Sequence, residues 1–305
     1  MTGEHNHGGA AGHTCRSLST ADNLAKELVP KILEKRELVK GIFEMVVAAP
    51  NVATKAKAGQ FVVVIPDEVG ERIPLTLADW DCEVGTITLI FMVVGASTAK
   101  LSKMSVGQSL AAVTGPLGHP SEIEDFGTVL MVAGGVGTAP VYPIAKAFKE
   151  RGVRVISIQG ARTKDLLFWQ DKLASVSDEH VITTDDGTFG RKGLVTEPLK
   201  EILERDKGKV KCVYAIGPGI MMKFCAKTTL PFAVKTVVSL NPIMVDATGM
   251  CGVCRVSVGG KTKFGCVDGP EFDGHQVDWE LLVLRQRTYL EQEKQAMERF
   301  NKGGA

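Results

Sequence analysis

The pattern of apolar and polar positions changes once along the chain, near residue 125. Before that point, short apolar runs are separated by Gly, Pro and other turn residues. These runs predict strands at 31–38, 42–47, 61–65, 85–94 and 109–113. Closely spaced short strands with such turns are typical of antiparallel barrels. We therefore predict an antiparallel β-barrel over residues 29–125.

After residue 125, apolar strands alternate with helical segments, the first of which runs through Lys149. The strands are predicted at 129–133, 154–159, 181–184 and 213–216, and each leads into Gly or Asp. This alternation predicts an open parallel sheet whose ligand lies over the carboxyl ends of the strands. We therefore predict a Rossmann-like α/β domain with a parallel sheet.

The predicted domain borders follow from these changes of pattern. The α/β domain is expected over 126–240, and a cysteine-containing module over 241–305 with a charged closing helix at 278–300. Residues 1–19 are rich in Gly, Ala and His, and we expect a disordered or weakly helical extension over 1–28.

Length, charge and hydropathy exclude several classes of protein. The chain has 305 residues and a formal net charge of +1, without a basic stripe or an acidic tail, so no nucleic-acid partner is expected. Residues 126–145 carry no charge, but they contain glycines and prolines. A buried strand that enters a glycine turn explains this segment better than a membrane span, so no membrane insertion is expected.

The cysteines outside the C-terminal module are scattered, which argues against a disulfide framework and favours a cytoplasmic setting. The N-terminal extension lacks the apolar segment of a secretory signal. It is not rich in Arg either, but organelle targeting by this extension stays open.

The strongest chemical signal is a cysteine cluster. Cys251, Cys254 and Cys266 follow the spacing C-x2-C-x11-C, and Asp246 lies five residues before the first of them. Plant-type [2Fe-2S] proteins use C-x4-C-x2-C and a more distant Cys. With Asp246 in the position of the leading cysteine, this spacing is met, and the four residues form a candidate ligand set.

A structural zinc site is the alternative interpretation of the same residues. Zinc normally takes four Cys or His ligands, and the nearest further candidate is His275, nine residues beyond Cys266. Gly249 and Gly252 would let the loop fold tightly and bring backbone N–H groups to cluster sulfurs. We favour the iron-sulfur cluster, although the cysteines alone leave both interpretations open.

A glycine-rich turn lies between the first predicted α/β strand and its helix. Gly134, Gly135 and Gly137 precede Thr138 in the sequence V-A-G-G-V-G-T-A-P. The turn departs from the strict G-x-G-x-x-G fingerprint. Free N–H groups at a helix start attract a pyrophosphate, and small residues leave room for a nicotinamide. A tight turn in an ordinary α/β core is the alternative.

The barrel carries two further candidate segments. Arg72 opens the sequence R-I-P-L-T, and its planar guanidinium suits the oxygens of a diphosphate, while Thr76 could hydrogen-bond the edge of a flavin. The turn at 95–98 offers backbone N–H groups to the same diphosphate. Taken singly, Arg72 is more typical of a surface ion pair and Thr98 of a helix cap.

In this order, the motifs resemble the ferredoxin-NADP reductase superfamily. The barrel and R-x-P-L-T are followed by G-x-S-T, by G-P-L-G at 115–118, by G-G-V-G-T-A-P and by G-P-G-I-M-M at 217–222. The cysteine module narrows the resemblance to the electron-transfer subunit of dihydroorotate dehydrogenase and its relatives. The resemblance covers about residues 29–300.

Within that branch, the module is most similar to the small-subunit family of NADH-dependent reduced ferredoxin:NADP oxidoreductases, also described as sulfide dehydrogenase subunits. The carboxyl end C-V-D-G-P-E-F-D-G-H, together with an aspartate as leading ligand, carries this similarity. The dihydroorotate branch uses four cysteines, whereas Asp246 occupies the first position here. The electron-transfer subunit of an NAD-dependent dihydroorotate dehydrogenase is therefore the second interpretation.

The resemblance implies an electron-transfer subunit that holds FAD, a [2Fe-2S] cluster and NAD(H). It also implies a larger flavoprotein partner with a second FAD and four-iron clusters, ferredoxin as a redox partner of the complex, and coupling by flavin-based bifurcation. Hydride transfer between nicotinamide and flavin needs no side-chain acid or base, so no catalytic side chain is expected. A nucleotide-binding sensor with a zinc or regulatory cluster is the interpretation from another class.

The resemblance also implies the binding residues. Those expected at FAD are Arg72, Pro74, Leu75, Thr76, Phe91, Val93, Gly95, Ser97 and Thr98. Those expected at the nicotinamide dinucleotide are Gly134, Gly135, Gly137, Thr138, Gly160, Arg162, Asp185, Gly217 and Pro218. Arg162 and Lys164 could also serve a 2′-phosphate, so the residues alone leave NADP open, and the resemblance favours NAD(H).

Overall fold

The computed structural model describes residues 29–302. The predicted N-terminal extension over 1–28 and the last three residues, 303–305, lie outside this range.

Six antiparallel strands form the barrel. They are β1 (Ile32–Val39), β2 (Ile42–Ala48), β3 (Phe61–Ile65), β4 (Ile73–Asp81), β5 (Thr86–Met92) and β6 (Ala112–Leu117), with helices α1 (Pro50–Ala53) and α2 (Ala96–Lys103) between them. Their order is β1-β2-β5-β4-β3-β6, and a bridge between Lys31 and Ser109 joins the two edges. The predicted barrel is therefore confirmed.

The α/β domain contains a sheet that is parallel from β10 to β12. Its elements are β7 (Thr128–Gly134), α3 (Thr138–Glu150), β8 (Arg154–Ala161), α4 (Gln170–Ser175), β9 (Glu179–Thr184), β10 (Arg191–Lys192), α5 (Thr196–Arg205), β11 (Val210–Ile216), α6 (Gly219–Thr229) and β12 (Lys235–Ser239). The strand order is β10-β9-β8-β7-β11-β12. The predicted parallel sheet is confirmed.

The remaining elements follow the sheet in the chain. They are β13 (Arg255–Val258), β14 (Lys261–Phe264), β15 (Glu271–Asp273), α7 (Trp279–Gln286) and α8 (Leu290–Asn301). β13 and β14 form a hairpin, whereas β15 pairs antiparallel with β12 and adds a seventh strand to the large sheet. The cysteine module is thus joined to the α/β domain through backbone hydrogen bonds.

Both faces of the large sheet are buried, which explains the continuous apolar runs of its strands. Leu130 and Ile156 pack on the face covered by α5 and α6, while Met131 and Val155 pack on the face covered by α3. Residues 126–145 form β7, the glycine turn and the start of α3. Among the described residues, no helix has the length and apolarity needed to span a membrane.

The structure departs from the sequence prediction at several elements. The R-I-P-L-T segment, which contains Pro74, lies in a strand that the pattern did not predict. Proline is rare in central strands because it removes a ladder donor. Here residues 73–76 pair with β3 only, and β4 pairs with β5 from Leu77 onward. Pro74 therefore lies where one side of the strand has no ladder to interrupt.

The closing helix predicted at 278–300 is two helices, α7 and α8. Between them, the N–H and the hydroxyl of Thr288 both donate to Arg285 O, at 3.1 and 2.7 Å. This i→i−3 contact replaces the helical i→i−4 bond and ends α7. Strands β12 and β15 were also absent from the prediction. β15 has only three residues, and its pairing depends on a distant segment.

Candidate functional site

The glycine turn stands at the centre of the parallel sheet, where β7 leads into α3. Gly135 has a φ of +53°, and a Cβ built on it would meet no atom within 4 Å. Gly137 is different, because a Cβ there would lie 2.1 Å from Ile216 O. Gly137 is therefore needed for packing against β11, while Gly135 borders open space where a ligand can approach the backbone.

The glycines on neighbouring strands also permit close packing. A Cβ on Gly134 would lie 2.3 Å from Met221 Sδ, and one on Gly217 would lie 2.9 Å from Gly134 O. A Cβ on Gly160 would lie 2.3 Å from Val195 Cγ1. The structure therefore brings the predicted residues of β7, β8 and β11 together at one sheet edge, with exposed Pro218 as the N-cap of α6.

Gln159 is a site residue that the sequence pattern did not indicate. Its buried side chain donates from Nε2 to Phe168 O at 2.8 Å and to Thr138 Oγ1 at 3.3 Å. Its Oε1 is buried without a hydrogen-bond partner among the described residues. Gln159 thus holds the hydroxyl of Thr138 at the start of α3. A lone Gln in an apolar strand could have indicated this role.

The ends of β8 and β9 bring charged residues together. Asp185 N donates to Ala161 O, and Asp186 N donates to Arg162 O. The pKa of Asp186 lies below its usual value because the N–H and hydroxyl of Thr188 donate to it. The backbones of two acidic residues therefore lie beside the exposed Arg162 and its neighbour at this edge of the sheet.

On the barrel, the turn at 95–98 is organised by Thr98. Its Oγ1 accepts hydrogen bonds from Val94 N and Gly95 N, at 3.0 and 3.1 Å. Thr98 therefore caps α2, which is the role that a threonine at this position typically has. Ser97 Oγ donates to Glu71, the neighbour of Arg72. Exposed Arg72 and this turn are therefore close together.

The remaining predicted flavin residues divide between barrel interior and surface. Phe91 and Leu75 are buried in the apolar interior of the barrel, and Phe91 stacks on Phe43 with centroids 5.7 Å apart. Pro74, Thr76 and Val93 are half-buried. These three residues are accessible to a ligand on the barrel surface. Phe91 and Leu75 instead pack beneath them in the barrel core.

A polar clamp joins the barrel to the α/β domain. Trp169 Nε1 donates to Glu44 Oε2 at 2.8 Å, and Arg36 Nε donates to Glu44 Oε1 at 2.7 Å. Below it, Phe168 and Ala139 pack against barrel residues in one apolar cluster. The start of α3 is therefore held directly against the barrel.

Asp246 closes the turn that leads into the cysteines. Its Oδ1 accepts from Thr248 N at 2.7 Å, and its Oδ2 accepts from Cys251 N at 2.9 Å. Ala247 and Gly249 have φ values of 62° and 87°. The N–H groups of Thr248 and Cys251, together with the Cys251 thiol, lower the pKa of Asp246. The carboxylate is therefore anionic and adjacent to Cys251.

The other two cysteines form a buried pair. Cys254 Sγ and Cys266 Sγ are 3.2 Å apart, while Cys251 is exposed. Burial and then the neighbouring Cys254 raise the pKa of Cys266 to about 12, while the backbone N–H of Gly249 acts in the opposite direction. A bound metal ion would deprotonate such thiols. The N–H of Gly249 therefore acts on this sulfur.

The donor set has the chemistry of an iron-sulfur site. Within residues 29–302, no three His, Cys, Asp or Glu side chains surround a single point as ligands of one metal ion. Zinc needs four ligands around one ion. In a [2Fe-2S] cluster each iron takes two protein ligands, which matches one pair at Asp246 and Cys251 and another at Cys254 and Cys266. Asp268 Oδ2 accepts from Phe264 N at 2.6 Å and so closes the turn around Cys266.

The cysteine pair packs directly on the barrel. Cys254 and Cys266 share an apolar cluster with Phe61 and Val63 of β3. Phe61 is in register with Thr76 on β4. Since adjacent strands lie about 4.8 Å apart, the cysteine pair and the R-I-P-L-T segment are separated by a single strand.

Two known families match parts of the chain. Residues 241–278 match the iron-sulfur cluster binding domain of dihydroorotate dehydrogenase B, and residues 131–227 match the oxidoreductase NAD-binding domain. The first match covers the cysteine loop, and the second covers the glycine turn and its neighbouring strand ends.

Similar proteins extend the match to most of the chain. A Thermotoga maritima homologue of the electron transfer subunit of dihydroorotate dehydrogenase B (NAD(+)) is 48% identical over 272 residues, which are 89% of this chain and 95% of the relative. The subunit from Clostridium perfringens is 32% identical over 254 residues, covering 82% and 97%.

A solved structure described as NADH-dependent reduced ferredoxin-NADP oxidoreductase, in work on flavin-based electron bifurcation, aligns with a TM-score of 0.85 and 48% identity. The alignment covers 90% of this chain and 98% of that chain. The chain is therefore an oxidoreductase with an NAD-binding domain and an iron-sulfur domain, and it belongs to the family of dihydroorotate dehydrogenase B electron transfer subunits and their homologues.

Proposed function

We propose that this chain is the NAD(H)-linked electron-transfer subunit of a bifurcating NADH-dependent ferredoxin:NADP oxidoreductase. It would hold FAD on the barrel, a [2Fe-2S] cluster in the cysteine loop and NAD(H) at the glycine turn. The observation that carries the proposal is the position of the Cys254–Cys266 pair, which lies one strand away from the R-I-P-L-T segment. The aspartate-led ligand set and the similarity to a bifurcating oxidoreductase support it.

The chain's own residues would bind and orient the cofactors. Arg72 and the N–H groups of the turn at 95–98 would hold the flavin diphosphate, with half-buried Thr76 at the flavin edge. Gly135 would admit the dinucleotide backbone, with Thr138 beside the nicotinamide. When bound, FAD and the cluster would supply the hydride and single-electron chemistry. No acid or base from the protein is required.

The ligands divide naturally between two irons in this proposal. Asp246 and Cys251 would bind one iron, and Cys254 and Cys266 would bind the other. Asp246 caps its own turn, so it would exchange a hydrogen bond for an iron bond. A carboxylate is a harder ligand than a thiolate, so the first iron would be held less firmly than the second.

The proposal includes a larger flavoprotein subunit that carries a second FAD and four-iron clusters and receives electrons from ferredoxin. Exposed apolar side chains around the cysteine loop support a partner here, because Met250 is 88% exposed and Val245 is 50% exposed. We propose a cytoplasmic complex, in which the scattered thiols stay reduced.

We propose the same domain borders as those predicted from the sequence. The FAD-binding barrel would comprise 29–125, the NAD-binding domain 126–240, and the [2Fe-2S] module with its closing helices 241–305.

The test is the composition and partner of the purified protein. One FAD, two irons and two acid-labile sulfides per chain are expected, with faster flavin reduction by NADH than by NADPH. Stoichiometric zinc without flavin would contradict the enzyme proposal. A clear preference for NADPH would contradict the NAD(H) assignment.

The electron transfer subunit of a dihydroorotate dehydrogenase is the second candidate, because the relatives at 48% and 32% identity carry that description. Affinity purification from the native host separates the two. A large flavoprotein with four-iron clusters supports the first candidate, and a dihydroorotate-oxidising partner supports the second.

A further inference from the structure

Two arginines hold the loop between Cys251 and Cys254 from outside. Arg255 Nη1 donates to Gly252 O at 2.8 Å, and Arg285 Nη2 donates to Val253 O at 3.0 Å. Arg255 is the first residue of β13, and Arg285 lies in the last turn of α7. The two carbonyls belong to consecutive peptides inside the C-x2-C segment.

The orientation of these carbonyls determines the orientation of two N–H groups. Both peptides are trans, and in a trans peptide the C=O and N–H point to opposite sides of the chain. The N–H groups of Val253 and Cys254 therefore point away from the arginines. Neither N–H donates a hydrogen bond to an acceptor within residues 29–302.

A buried backbone donor rarely stays without an acceptor, and Cys254 is only 2% exposed. Hydrogen bonds to cluster sulfurs are among the factors that set the potential of an iron-sulfur cluster. The N–H groups of Val253 and Cys254 point away from the arginines and lie in the segment that joins two predicted ligands. They can therefore donate hydrogen bonds to cluster sulfurs.

The two arginines also carry charge that no acidic side chain neutralises at close range. Among the described residues, no carboxylate oxygen lies within 4.0 Å of either guanidinium. Some other arginines are paired, as Arg205 is with Glu179 and Asp206. A one-electron reduction makes a cluster more negative, and nearby positive charge favours that state.

We propose that Arg255 and Arg285 are positioning residues that direct the Val253 and Cys254 N–H groups to the [2Fe-2S] cluster and raise its reduction potential. The inference rests on the proposed function, which supplies the cluster. Through these residues, α7 and β13 determine how readily the cluster accepts an electron from the flavin.

The test uses the full-length holoprotein with substitutions that remove or keep the charge. Arg285→Met and Arg255→Met remove both the donor and the charge, while Arg285→Lys keeps the charge and loses the planar fork. Arg287→Met is the matched control. It lies at the end of the same helix, is exposed, and its side chain has no hydrogen bond or ion pair with another described residue.

The readouts are the midpoint potential from an EPR-monitored redox titration, the iron content and the flavin spectrum. We expect each Met variant to lower the equilibrium constant of cluster reduction at least about tenfold, which is about 59 mV for a one-electron couple. Arg285→Lys should give a smaller decrease, and Arg287→Met should leave the potential unchanged. The flavin spectrum should stay the same throughout.

Unchanged potentials in both Met variants would overturn the inference, and so would an equal shift in Arg287→Met. If Arg285→Met loses iron but keeps FAD, the loop-holding role is supported and the potential is read in Arg255→Met. A wild-type potential in that variant would then overturn the redox role. A wild-type protein without iron would contradict the proposed function instead.

Discussion

Ser121, directly after the barrel, donates its hydroxyl to Glu271 Oε1 at 2.6 Å, although 150 positions separate the two residues. Glu271 belongs to β15, five residues after Cys266, so this bond joins the barrel, the large sheet and the cysteine module. Gly59 makes room for it, because a Cβ there would lie 2.2 Å from Ser121 Oγ. The Glu271 carboxyl is enclosed at the junction of all three parts.

The pKa of Glu271 is raised from 4.5 to about 7, mainly by burial. The hydrogen bond from Ser121 and the charge of Lys235 lower this pKa, whereas the charge of Glu122 raises it. The folded protein therefore binds more protons than the unfolded chain between these values, and stability falls as pH rises from 4.5 to 7. This pKa shift corresponds to a change of about 3 kcal/mol at most in the free energy of unfolding.

Glu271→Gln should remove this pH dependence and raise the apparent Tm at pH 8, with little change at pH 4.5. The measurement is thermal unfolding of variant and wild type across this range. The half-buried His180, whose pKa is lowered by partial burial, acts in the opposite direction in both proteins. The difference between the two curves isolates Glu271, and parallel curves would show that Glu271 does not titrate there.

The Trp169–Glu44 bond should hold the nicotinamide site against the barrel. Trp169→Phe removes the indole donor and leaves Glu44 with Arg36 alone, at a cost of about 1–3 kcal/mol. We expect a lower Tm and slower flavin reduction by NADH in stopped-flow. Trp279→Phe is the control, because its indole donates to Gly274 O away from this interface. Equal rates in the two variants would exclude a role in docking.

Gly135 should be essential for NADH binding because open space lies beside it. Gly135→Ala would place a methyl group there and weaken NADH binding by roughly tenfold, about 1.4 kcal/mol. Gly152→Ala is matched, since Gly152 also has positive φ and no atom within 4 Å of a built Cβ. Both variants should lose similar stability. Flavin-reduction titrations should show weaker NADH binding only at Gly135.

Asp246 should influence the cluster as a ligand. Asp246→Cys restores the C-x4-C-x2-C spacing, so we expect the cluster to be retained with a changed EPR spectrum and potential. Asp246→Ala removes the oxygen ligand and two hydrogen bonds of the turn, so iron content should fall. If both variants keep the parent spectrum and potential, Asp246 only caps the turn.

Asp185 should favour NADH over NADPH. Its position beside the end of β8 brings a carboxylate near the expected ribose site, where it would repel a 2′-phosphate. Asp185→Ser should raise the NADPH to NADH ratio of kcat/KM by roughly tenfold, about 1.4 kcal/mol. Asp171→Ser, on α4, should leave this ratio unchanged. An unchanged ratio at Asp185 would assign the preference to other residues.

The fold class could be predicted because it depends on local patterns. Alternating short strands in the barrel and continuous apolar strands in the α/β domain reflect one-sided and two-sided burial, which each segment records by itself. The cysteine spacing and the glycine turn were equally local, so Asp246, Cys251, Gly135 and Thr138 could be named from the sequence.

Contacts between distant segments could not be read in this way. Nothing near Glu271 indicates Ser121, and nothing near Trp169 indicates Glu44, because hydrogen-bond partners across a fold leave no periodic signal in either segment. The same holds for Arg285, which reaches the loop carbonyl of Val253 from a helix 32 residues later. The sequence by itself determined which chemical groups the chain carries and which elements hold them. Only the tertiary structure decided how those groups face one another, since that depends on packing between segments far apart in the chain.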